Sequence, residues 1–141
     1  MTRVAQVLAA LEALTLLVVG ALETFFFREP ALYAIFLIEP GEYDAVALWT
    51  RNVGVYNMLM GVTVVVGVLL ARGTRVEAGR ALVLAISAMH VVLGVSLVIT
   101  APELWLSAIF EAGLALAVIL AVLLGHRPAA RRPTTESPAG A

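Results

Sequence analysis

The chain has 141 residues, of which 62% are hydrophobic and only 13% charged, and its net charge is −1. Soluble domains run near half apolar and about a quarter charged, and a chain this short cannot hide such an apolar surplus in one aqueous core. A water-soluble globule is therefore excluded, and so is disulfide or thiolate chemistry, because cysteine is absent.

The first apolar stretch runs from about Val4 to Phe27, close to the roughly 20 residues that cross a bilayer core as a helix. It carries Glu12 and Glu23, eleven residues apart. That spacing is about three turns at 3.6 residues per turn, so both fall on one face. A cleaved signal would need a shorter apolar region and a small-residue site before Phe25-Phe26-Phe27, so residues 1–27 read as a retained helix. Pro30, Pro40 and Gly41 then interrupt the chain. Between them Leu32, Tyr33, Ile35, Phe36, Leu37 and Ile38 predict a short interfacial helix. It reads as an aromatic belt holding the loop at headgroup level rather than as a functional lid.

The second stretch covers about Ala45 to Leu70 and holds Arg51, Asn52, Tyr56 and Asn57. Arg51, Gly54, Met58 and Gly61 share a stripe on it, with Asn57 alongside. Arg72-Gly73-Thr74-Arg75 breaks the chain before a third stretch, about Ala81 to Ile99, on which Ser87, His90 and Gly94 align. A turn at Thr100-Ala101-Pro102-Glu103 leads into the fourth, about Leu104 to Leu124, where Ser107, Glu111 and Ala115 align. Trp49 and Trp105 fall where interfacial tryptophans are expected. Residues 126–141, with Arg127, Arg131, Arg132 and three prolines, cannot bury a core and predict a disordered cytoplasmic tail.

The fold class expected is all-α, a polytopic membrane four-helix bundle formed as one transmembrane domain over residues 1–125. Backbone polar groups in lipid need internal partners, and long runs without strand alternation satisfy them only as helices. Arg3, Arg72, Arg75, Arg80, Arg127, Arg131 and Arg132 all fall on one side of this arrangement. Positive residues stay inside, which predicts a multi-pass protein of the inner (plasma) membrane with both termini cytoplasmic.

An ionisable group within a span costs about 2.5–3.5 kcal/mol on insertion scales and is a functional candidate by default. The candidates for a ligand-binding or structural polar cluster are Glu12, Glu23, Arg51, Asn52, Tyr56, Asn57, His90 and Glu111. Helical rise places Glu23, Arg51, Asn52 and Glu111 in the outer half and Glu12, Asn57 and His90 nearer the middle. Arg51 is expected to pair with Glu23, Glu111 or both, because its fork suits a carboxylate. The plain alternatives are a structural clasp around Arg51, Asn57 as interhelical glue and His90 as a neutral packing residue. Small residues beside polar ones mark helix contact faces, and Gly54, Gly61 and Gly67 offer such a face for a homodimer.

No metal-ligand spacing, glycine-rich phosphate loop or nucleophile set is present, so neither metal nor cofactor is expected and an enzyme is disfavoured. The tail arginines lack interleaved aromatics and point to anionic headgroups rather than nucleic acid.

Glu23-Thr24-Phe25, Pro30, Phe36 and Asn52-Val53-Gly54-Val55-Tyr56-Asn57 together resemble a family of small four-helix bacterial inner-membrane proteins known only as a domain of unknown function (DUF1304-like). Its members show Glu-x-Phe, a proline, a phenylalanine and Asn-x-Gly-x-Tyr-Asn at similar spacing. The resemblance covers roughly Val4 to Leu124 and implies a four-helix inner-membrane protein without an assigned activity. Thr15 and Leu16 stand where members often carry a Glu-His pair, and Glu111 stands where glutamine is usual. The chain is more distantly similar to DoxX-like proteins. Three functions are open: a small binding or transport protein for a lipophilic or ionic ligand, a structural subunit docked on a membrane protein partner, and a membrane enzyme acting on lipid or quinone.

Overall fold

The computed structural model describes residues 1–125, so the tail expected over 126–141 lies outside the described residues. Helix α1 spans Arg3–Ala21 and continues through a π-helical turn at Leu22–Phe26. A 3₁₀ turn at Pro30–Leu32 leads into the one-turn helix α2, Tyr33–Phe36, and another at Pro40–Glu42 leads into α3, Tyr43–Arg72. Helix α4 spans Val76–Thr100, and α5 spans Trp105–Leu124 after a last 3₁₀ turn at Pro102–Leu104. The spans through α1, α3, α4 and α5 are long and apolar enough to cross a membrane, which fits a multi-pass membrane protein.

Helix ends follow local chemistry. Thr2 caps α1, its Oγ1 accepting from the Ala5 amide at 3.2 Å. A capping box between Glu39 and Glu42 opens the turn into α3. Helix α4 begins at Val76 rather than near Ala81 because its first turn is polar but helical, with Arg80 and Glu77 paired at 3.2 Å. An acidic residue in a first turn also complements the helix dipole. Hydropathy alone misses such a turn, since it reads where a helix is apolar and not where it is hydrogen-bonded.

Large apolar side chains such as Leu11, Leu59, Val92 and Leu106 point outward, while the centre is made of small ones. Lipid is as apolar as leucine, so membrane helices associate by close packing rather than by burying oil from water. The backbones of α1 and α3 touch at Gly20 and Gly54, where a Cβ on Gly20 would stand 2.5 Å from the Gly54 carbonyl oxygen. Further down, Gly61 faces the Ala13 carbonyl, Gly67 of α3 faces Gly79 of α4, and Gly94 of α4 faces Ala108 and Ala112 of α5. The glycine face expected to join two copies is thus turned inward. Gly54, Gly61 and Gly67 are buried against helices of their own chain.

The helices run alternately up and down, which gathers the arginines. Arg72 Nε donates to Gln6 Oε1 at 2.7 Å, tying the end of α3 to the start of α1. The end of α5 lies beside Thr2. We call this the Arg3 end and the opposite one the Phe26 end. Near the Arg3 end Ala5, Ala9, Ala13, Val64, Val68, Val83, Val118 and Val122 form one closely packed core.

Candidate functional site

The polar residues of α1, α4 and α5 meet above that core. Glu12 of α1 is 4% exposed, while Ser87 and His90 of α4 are 0% and 1% exposed. Ser87 and His90 are three residues apart and so lie on one helix face. Ser87 Oγ donates to Glu12 Oε2 at 2.7 Å. His90 Nδ1 stands 3.2 Å from the Ile86 carbonyl oxygen and 3.7 Å from Glu12 Oε1. The other ring nitrogen, Nε2, lies 4.0 Å from Glu111 Oε1 of α5.

The imidazole tautomer follows from these partners. A backbone carbonyl only accepts, so the proton sits on Nδ1 and the Nε2 lone pair faces Glu111. Among the described residues, Glu12 Oε1 and His90 Nε2 find no hydrogen-bond partner although both are buried. Buried polar atoms in that condition are few in folded proteins and call for an explanation.

A second polar pair lies toward the Phe26 end. Asn57 Nδ2 of α3 donates to Glu23 Oε2 at 2.7 Å, and Glu23 belongs to the π-helical turn. Within the same turn Thr24 Oγ1 donates to the Gly20 carbonyl at 2.7 Å. Such turns are rare and recur at functional sites.

Both Glu23 and Glu111 open into one cavity of about 720 Å³. Ligand sites commonly measure about 300–1,000 Å³ and are mostly apolar with a few placed polar groups. Here Leu16, Val19, Val53, Leu93, Leu97 and Phe110 form apolar walls, and Thr15, Asn57, Ser96, Thr100 and Ser107 supply neutral polar groups. Among the described residues, no arginine lines it. An amphipathic molecule with a hydrogen-bond-donating or cationic head suits such a lining.

The loop expected to serve as a belt also reaches this space: Ile35 and Phe36 line the cavity. The segment is held in place from outside. Tyr33 hydrogen-bonds to Glu39, and that bond, together with the Glu39 and Glu42 charges, holds the phenol above its ordinary range. Leu37 closes α2 with φ of 54°, a left-handed conformation that costs an L-residue about 1–2 kcal/mol. Trp49 and Trp105 are exposed, as interfacial residues are.

Two sequence expectations need correction. Arg51 makes no ion pair with Glu23 or Glu111 among the described residues. Its guanidinium lies 5.7 Å from the Phe27 ring centroid, and Arg28 approaches the same ring at 5.5 Å. Phe27 is buried at the Phe26 end and gives the cation a ring instead of a carboxylate. Asn52 and Tyr56 are exposed alongside Arg51 and do not join the cluster. Asn57 bonds across helices to Glu23.

Ser96, Thr100 and Phe110 were not singled out from the sequence. Ser96 and Thr100 lie off the buried face of α4 that carries His90 and are exposed. Nothing local marks Phe110, a residue that looks like any lipid-facing aromatic. No group of three or more His, Cys, Asp or Glu residues able to hold a metal ion occurs among the described residues.

Residues 9–124 match the family described as Protein of unknown function (DUF1304). This chain belongs to that family. No curated protein and no solved structure matches it. The DUF1304 match spans both polar tiers, from Glu12 to Glu111, as well as the segment that lines the cavity from above.

Proposed function

We propose that this DUF1304 protein is a small binding or transport protein of the inner membrane, with both termini cytoplasmic. Its ligand is lipophilic with a polar or ionic head, and the head is received by Glu23, Asn57 and Glu111. The observation that carries this reading is the cavity of about 720 Å³ into which two carboxylates from different helices open. A bare scaffold gains nothing from leaving such a space beside ionisable groups. The gathering of Arg3, Arg72 and Arg75 at the far end supports an outward-facing cavity, by the preference of arginine for the cytoplasmic side.

Thermal unfolding in detergent tests the proposal, with quinones, lipids and organic cations as the panel. A bound ligand at a hundredfold excess over Kd stabilises by about 2.7 kcal/mol. At least one class should raise the melting temperature of the parent, and Glu23→Gln, Glu111→Gln or a cavity-filling Phe110→Trp should remove that rise. If no class shifts the parent, or if all three variants respond as the parent does, the cavity is not a binding site.

A second reading is supported by one feature, the exposed polar group Arg51, Asn52 and Tyr56 on α3. Under it the chain is a non-catalytic subunit and this face docks on a larger membrane protein. Reproducible copurification with one partner, lost in Arg51→Ala, favours that reading. Purification of the parent alone from mild detergent counts against it.

A further inference from the structure

Below the cavity, three titratable side chains from three helices stand in series: Glu111 at the cavity wall, His90 behind it and Glu12 behind His90. Glu111 alone reaches the open space, since Glu12 and His90 are buried. On the far side, Ala9, Ala13, Val64, Val83 and Val118 seal the bundle. Glu111 and His90 therefore form a series that leads from the cavity to Glu12. Among the described residues, the buried side-chain atoms left without partners, His90 Nε2 and Glu12 Oε1, both face along this series.

We propose that Glu111, His90 and Glu12 share one exchangeable proton whose mouth is the cavity, so that the occupant beside Glu111 sets the charge of buried Glu12. The proposal rests on the cavity being a ligand site and states how that site is linked to the interior. In the forward step protonated Glu111 gives its proton to His90 Nε2. The Nδ1 proton leaves its contact with the Ile86 carbonyl and passes to Glu12 Oε1. Glu111 ends as a carboxylate, Glu12 as a carboxylic acid and His90 as the opposite neutral tautomer, so charge and protons balance. The gaps of 4.0 Å and 3.7 Å exceed hydrogen-bond reach, and each closes by about 1 Å when a glutamate side chain turns. A cationic head beside Glu111 favours its carboxylate form and drives the proton inward, while an empty cavity lets it return.

Polar groups from three helices stand around His90. Helix α1 presents Glu12, α5 presents Glu111, and α4 itself contributes Ser87 and the Ile86 carbonyl. Glu23, which shares the cavity with Glu111 and repels its charge, is held by the neutral amide of Asn57 from α3. The ionisable groups of α3 are engaged elsewhere: Arg51 lies over Phe27, Arg72 on Gln6 and Asp44 on Arg28, while Tyr43 packs on Phe27 and Tyr56 is exposed.

The test needs no ligand, so its failure and the failure of the binding reading are separately visible. The chain has two histidines, and the nitrogen NMR signals of ¹⁵N-histidine protein in lipid nanodiscs separate His90 from His126 by a His126→Gln control. The parent should show Nδ1–H at His90 near neutrality and a change in ring protonation or tautomer between about pH 5 and pH 9. Glu111→Gln and Glu12→Gln should each abolish that change or displace its midpoint by more than about half a pH unit. Both replacements keep side-chain shape, and Ser87 can still donate to a glutamine at position 12. If Glu12→Gln does not fold, Glu111→Gln at the cavity wall decides alone. An unchanging His90 signal in the parent, or the same response in the folded variants as in the parent, overturns the proposal.

Discussion

The two ends of the bundle are built from the same four helices and packed to opposite effect. At the Arg3 end, alanines of α1 meet valines of α3, α4 and α5, and all are buried. Toward the Phe26 end the α1–α3 contact stays tight, through Gly54 on Gly20. The opening falls instead between that pair and the upper parts of α4 and α5, where Ser96, Thr100, Ser107 and Glu111 line it. Small residues let backbones meet where helices are in contact. Glu12, Ser87 and His90 lie on the border between the sealed half and the open half.

The largest expected effect attacks the contact common to both ends. In Gly54→Val the new side chain runs into Thr24 and the Gly20 backbone, and overpacking against backbone should cost about 3 kcal/mol or more. Melting in detergent should show loss of the folded bundle, and a parent-like melt would mean that α1 and α3 are not in contact there. Next come the polar pairs at the border. Ser87→Ala leaves Glu12 without its donor and Asn57→Leu does the same to Glu23, each at a cost of about 1–3 kcal/mol. If both melt like the parent, these bonds do not hold the bundle.

Smaller effects sharpen the contrast between the halves. Val64→Ala in the sealed core should lose about 1–2 kcal/mol through the void it leaves. Leu93→Ala on the cavity wall already borders empty space and should change stability by less than about 0.5 kcal/mol. Equal losses at the two positions would mean that the cavity is closed in the membrane. The smallest effect belongs to Gly113→Ala, where an added Cβ meets nothing within 4 Å, and its melt should superpose on that of the parent.

The residue patterns reveal much of the site, for a physical reason. Ionisable groups are so costly within a span that Glu12, His90 and Glu111 stand out against their apolar neighbours. The stripe of Ser87, His90 and Gly94 reads correctly as an inward face, since all three are buried. Arg51 misleads for the same reason, because charge within an apolar run implies a carboxylate partner only when no aromatic ring is nearer. Phe27 supplies that ring, and nothing in the local pattern says so.

Composition and periodicity by themselves determined that the chain forms four long apolar helices, that their small residues face one another and that several ionisable groups turn inward. These follow from solvation and from the 3.6-residue turn, both of which act on each helix alone. Which groups meet was decided only by the tertiary structure: Glu12 with Ser87, Glu23 with Asn57, Glu111 with His90, and Ile35 and Phe36 over a cavity. Pairings across helices depend on relative rotation, depth and the π-helical turn in α1. A shift of one residue turns a helix by about 100°, since 3.6 residues make a full turn, and no single helix carries that information.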